Sequence, residues 1–185
     1  MRSKVLQLAI IFEGGLLALA LGLGWLLGVP PWRQVYWEAR EVVWGAFAIG
    51  PPLLGMWWSS RSRWGPLRRV MREVEDKIVP IFLDSTISDL AAISVVAGIG
   101  EEALFRGVIQ AALSEWLNPS TGLLIASALF GLGHLLTPAY GVLAGLLGLY
   151  LGGLFMAFEN LLLVMVVHGV YDFLTLVYLM RRRKV

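Results

Sequence analysis

Apolar runs of about 20 residues, the length a helix needs to cross the hydrocarbon core of a bilayer, follow one another along this chain. They lie at roughly 5–29, 41–60, 86–116, 121–138, 140–158 and 160–180. One sizeable polar stretch interrupts them: RSRWGPLRRVMREVEDK, residues 61–77, where basic and apolar positions interleave as in an amphipathic helix at a membrane surface. The following IVPIFLDSTI carries Pro80 and Asp84 and reads as an interfacial or partly re-entrant segment. The pattern predicts an all-α, polytopic helical membrane protein of about six transmembrane helices around a central polar cavity. A single membrane domain covers 1–185, with N-terminal spans in 5–60 and an interfacial or cytoplasmic basic segment at 61–77.

Composition agrees. Hydrophobic residues make up 58% of the 185 and charged residues only 15%, with a mean hydropathy of +0.74, which excludes an ordinary soluble domain. Cysteine is absent, so disulfides and thiolate metal sites are excluded. The basic N-terminal start precedes an apolar run too long for a signal-peptide core, with no small-residue cleavage site, and reads as a retained span. Glu13 within that span suggests no chemistry by itself. The tryptophans fall mostly at span ends, as interfacial belts do.

Charge sets the orientation. Arg2 and Lys4, the group Arg61, Arg63, Arg68, Arg69, Arg72 and Lys77, and the tail Arg181, Arg182, Arg183 and Lys184 fall on one side of a six-span arrangement. Arg33 and Arg40 fall on the other. The positive-inside rule then places both termini in the cytoplasm, whereas splitting 78–116 into two spans would put the basic tail outside. The patch at 61–72 is expected to contact lipid headgroups. No nucleic-acid partner is expected.

Polar residues at depth carry the functional signal, because a charge near the bilayer centre costs about 2.5–3.5 kcal/mol on insertion scales and therefore faces a partner or a wet cavity. GIGEEALFRG holds Glu101, Glu102 and Arg106. Adjacent carboxylates point about 100° apart on a helix, while Glu102 and Arg106, at i and i+4, share a face and can pair. One reading is a structural ion pair with a spare carboxylate; the other leaves Glu101 as a general base. The chain's two histidines, His134 in FGLGH and His168 in HGVYD, also fall inside predicted spans, at depths where they can meet Glu101. Asp172 shares a helix face with His168 and can accept its ring N–H.

Carboxylate plus imidazole suits water activation: Glu101 takes a proton from water, His134 helps hold it, and His168 stabilises the oxyanion formed at a peptide carbonyl. No GxSxG or HExxH occurs. A zinc site would have to be assembled from His134, His168 and a carboxylate on separate helices; the pattern supports this only weakly, so no cofactor is expected, with zinc as the alternative.

EEALFR, FGLGH and HGVYD, in this order and spacing, resemble the EExxxR, FxxxH and HxxxN/D motifs of the CPBP family, the CAAX prenyl protease and bacteriocin-processing group, also called Abi proteins. The resemblance covers roughly 86–180, which would then be the catalytic core. It implies a glutamic-type intramembrane endopeptidase similar to the Rce1-like CAAX proteases. Glu101 and His134 would be the water-activating pair, His168 and Asp172 the transition-state-stabilising pair, and Glu102, Arg106 and Phe130 their support. The eukaryotic-type members resemble the Asn form of the third motif; Asp172 departs from it and puts CAAX substrates in question more than proteolysis. The short chain looks like a prokaryotic member, which implies a prokaryotic plasma membrane and a membrane-associated peptide or protein substrate, lipidated or not. The alternative is a non-catalytic immunity or peptide-binding protein using the same cavity. A small transporter is a third reading, disfavoured because no inverted repeat is visible.

Overall fold

The structure, a computed structural model, describes residues 2–183, and among these every regular element is helical. Lys184, at the end of the basic tail, lies outside them. Among the described residues, three helices are each long and apolar enough to cross a membrane, α1 (Arg2–Leu27, apolar from Lys4), α8 (Pro138–Phe158) and α9 (Leu161–Arg183, apolar to Arg182), and a bent pair makes up to four.

The other three expected spans are modified, each for a local reason. The run at 41–60 is divided into α2 (Ala39–Ala48) and α3 (Gly50–Arg61). Pro51 and Pro52 lack the N–H groups that would bond back one turn. The carbonyl of Ala48 is instead taken by the Tyr150 hydroxyl at 2.7 Å, as a backbone group away from water must be. The run at 121–138 yields only α7 (Pro119–Gly133). It stops there because Thr137 and Pro138 open the next helix, Thr137 accepting the Tyr140 N–H as its cap. His134 is therefore the C-cap of α7 and not a mid-span residue.

The run at 86–116 is one helix with an anomaly in its middle. α5 (Ile87–Leu104) opens on a capping box between Thr86 and Asp89, passes through a π-turn at Phe105–Gln110, and continues as α6 (Ala111–Trp116). Before it, α4 (Gly65–Glu73) buries Leu67 and Val70 and exposes its arginines, the amphipathic surface helix expected of 61–77. The helical stretches 65–82 and 87–116 are bent by 111° at the short break between them, so the segment that leads from Ile78 through Asp84 to Thr86 is a corner.

Glycines set how closely the helices approach. A Cβ on Gly98 would stand 2.7 Å from the carbonyl oxygen of Met165 and 2.9 Å from the backbone nitrogen of Gly169, so α5 and α9 touch backbone to backbone. A Cβ on Gly100 would stand 2.5 Å from the carbonyl oxygen of Glu13. Gly107, further along the same helix, lies against Pro31, beyond the end of α1. Hence α1 and α5 run parallel and begin at the same end of the bundle. α9 ends there too, with Leu179 and Met180 packed on Val79 and Leu90. Arg182 donates to the Ser60 carbonyl at 2.7 Å and lies 3.5 Å from Glu75. The basic tail and the polar segment at 61–77, expected on one side, thus meet physically.

Candidate active site

Five of the seven side chains singled out in the three motifs line one cavity of about 670 Å³. Glu101, His134, His168, Asp172 and Phe130 line it at the polar end. The remaining wall is mostly apolar and comes from α3 (Pro51, Met56), α4 (Leu67, Met71), the corner segment (Ile78, Phe82), α8 and α9.

Glu101 is buried, and its Oε2 stands 3.5 Å from His134 Nε2, with no hydrogen-bond partner among the described residues. The other ring nitrogen of His134, Nδ1, lies 2.9 Å from the Phe130 carbonyl oxygen. A carbonyl only accepts, so Nδ1 carries the proton and a neutral His134 turns the bare lone pair of Nε2 toward Glu101. Two proton acceptors thus face the same point of the cavity wall. A water seated on their cavity side meets a base in either of them.

His168 is built differently. Its Nδ1 lies 2.7 Å from Glu102 Oε1, while Nε2 lies 3.5 Å from Asp172 Oδ2. Glu102, fully buried, orients this ring, a task the sequence alone assigns to Asp172. The same Oε1 accepts from Arg106 at 2.9 Å, the expected i,i+4 pair. Glu102 is thus not only half of an ion pair; it links Arg106 to His168. Asp172 stands at the second nitrogen, on the cavity.

Behind these groups is a buried rail. Arg106 donates to the Gly148 carbonyl at 2.9 Å and Gln110 to the Gly152 carbonyl at 3.0 Å. The wider π-turn at 105–110 keeps Arg106 and Gln110 on one face toward α8. Each carbonyl can be reached because its residue has no side chain: a Cβ on Gly152 would stand 2.5 Å from Gln110 Oε1. Phe130 occupies the centre. The Arg106 guanidinium sits 4.5 Å above its ring, His134 stacks on it at 4.4 Å between centroids, and His168 meets it edge-on at 5.9 Å. One ring therefore spaces both imidazoles and covers the buried charge.

Among the described residues, no three His, Asp or Glu side chains are grouped to hold a metal ion.

Sequence reasoning missed two features. Glu13 of α1 lines the same cavity, which one glutamate in an apolar run could not reveal. The bond between Glu102 and His168, 66 positions apart, has no local signature.

Residues 83–174 match the model of the family described as type II CAAX prenyl endopeptidase Rce1-like. No curated protein and no solved structure matches the chain. The matched segment contains Glu101, Glu102, Arg106, Phe130, His134, His168 and Asp172. With the long apolar helices, it marks an integral membrane protein of a CAAX protease-like, membrane-embedded endopeptidase type.

Proposed function

We propose, from the membership of residues 83–174 in the Rce1-like family, that this chain hydrolyses a peptide bond of a membrane-associated substrate with water activated by Glu101 and His134. The observation that carries the reading is the Glu101–His134 pair: two proton acceptors 3.5 Å apart at the polar end of a cavity large enough for a peptide segment. Water adds its oxygen to the scissile carbonyl and gives its proton to this pair. The tetrahedral intermediate then expels the amine, which leaves with the proton the pair had taken.

His168 supplies the oxyanion donor. Both its nitrogens face carboxylates, Glu102 at Nδ1 and Asp172 at Nε2. With a proton on each nitrogen, Nε2–H is the donor that reaches the cavity, and such a donor is worth about 2.7–4 kcal/mol of transition-state stabilisation. Asp172 positions that proton and does not donate to the oxyanion while ionised. Glu102, Arg106 and Phe130 hold the two imidazoles in place. The reaction needs no metal or other cofactor.

The apolar length of the cavity suits an extended segment or acyl-type chain, so the substrate is a membrane-associated peptide, lipidated or not, with no nucleic-acid partner. The basic end of the bundle, with both termini, faces the cytoplasm of a prokaryotic plasma membrane. The test is cleavage of a membrane-tethered fluorogenic peptide by the purified chain in liposomes. Glu101→Gln and His134→Gln abolish turnover while leaving the helical circular dichroism unchanged; cleavage by Glu101→Gln at the wild-type rate refutes the proposal.

A further inference from the structure

We propose that Glu13 reads a positive charge on the substrate, a lysine or arginine side chain or a free amino group held near the bond to be cut. The inference rests on the peptidase reading above and adds a specificity determinant that lies outside the family-matched segment.

Glu13 is brought to the site by close packing. At Gly100 the α1 backbone approaches so closely that a Cβ would collide with the Glu13 carbonyl oxygen, and its carboxylate Oε2 would lie 3.4 Å from that Cβ. The side chain therefore stands one residue from Glu101 along α5. It lines the cavity, and its electrostatic neighbours are Glu101, His168, His134 and Asp172.

The charge balance of the wall decides what binds there. Among the described residues it presents three carboxylates, Glu13, Glu101 and Asp172, with two histidines and no lysine or arginine. Arg106, a buried cation behind the wall, is turned away, held by Glu102, the Gly148 carbonyl and the Phe130 face. Asp172 faces His168 Nε2 at 3.5 Å. Glu13 Oε2 is buried with no hydrogen-bond partner among the described residues. Glu101, only 7% exposed, also turns an unpartnered Oε2 into the same space. A carboxylate left unpaired inside a membrane protein is costly, and a cation carried in by the ligand removes that cost. Selectivity follows from complementarity.

The experiment uses the full chain in phosphatidylcholine nanodiscs and lipopeptides identical except for one residue beside the cleaved bond: lysine, norleucine or glutamate. We expect wild type to favour lysine over norleucine by about tenfold in kcat/KM, equal to about 1.4 kcal/mol. Glu13→Gln brings that ratio close to one, Glu13→Asp retains it, and Glu13→Lys shifts preference to glutamate. A wild-type ratio near one, or a ratio that Glu13→Gln leaves intact, overturns the proposal.

A binding arm separates the two readings. Diazirine-bearing versions of the same peptides are crosslinked to the Glu101→Gln protein, with and without Glu13→Gln. Lysine-selective crosslinking that needs Glu13, with no cleavage by wild type, refutes the peptidase and keeps the cation site. Crosslinking without lysine selectivity refutes the cation site whatever the activity.

Discussion

Glu102 holds His168 from one side and Arg106 from the other through a single oxygen, Oε1, at 2.7 and 2.9 Å. The His168 ring on α9 is thereby tied to the buried guanidinium on the helix that carries Glu101, and through it to α8. Charge, position and fold are coupled at this atom.

Removing one partner of this network leaves the other charge buried without compensation. Arg106→Ala should destabilise the protein by about 3–5 kcal/mol, read as a large fall in the thermal midpoint of purified protein in detergent. Arg106→Lys keeps the charge but loses the planar fork that serves Glu102 and Gly148 together, and should recover only part of the loss. A midpoint unchanged by Arg106→Ala would show that the network carries no stability.

The contact at Gly98 makes a prediction about shape alone. The atoms a Cβ would meet there belong to the backbone of Met165 and Gly169, which cannot rotate away. Gly98→Ala should part α5 from α9, separate Glu102 from His168, and cost about 1–3 kcal/mol by overpacking together with activity. Gly153 has nothing within 4 Å of a would-be Cβ, so Gly153→Ala should leave both unchanged. Equal behaviour of the two variants in a melting and cleavage series would contradict this packing.

Tyr150→Phe tests the helix break. The hydroxyl serves the Ala48 carbonyl left without its usual partner by Pro52. Its loss should cost about 1–3 kcal/mol, the penalty of an unsatisfied buried acceptor, in a melting experiment. Hydrogen exchange should speed up around α2 and α3 first; protection unchanged there would count against the role.

Metal removal should not matter. No three candidate ligands are grouped among the described residues, so cleavage in liposomes should persist after dialysis against a strong chelator. Activity lost to the chelator and restored by zinc would require a ligand arrangement other than this one.

Much of the site could be read from sequence because its chemistry is spaced along single helices. Glu102 and Arg106 are one turn apart, and so are His168 and Asp172. Helical period reports such neighbours directly. It does not report which helix lies opposite, so the bond from Glu102 to His168, the reach of Arg106 to Gly148, and the place of Glu13 became visible only in three dimensions. The helix ends were partly legible: Pro51 and Pro52 announce the break in 41–60, and Thr137 with Pro138 announces the end of α7. Hydropathy averaged over a window hides both, which is why 121–138 reads as a span while the helix stops at His134.

The cavity has two owners. The groups proposed to act on the peptide bond come from residues 101–172, inside the family-matched segment, while Glu13 and the part of the apolar wall from Pro51 to Phe82 come from outside it. On the proposed function, chemistry and choice of substrate are separable inheritances. A chimera that exchanges the first 82 residues while preserving the rest would keep the way a bond is cut and change which bond is presented.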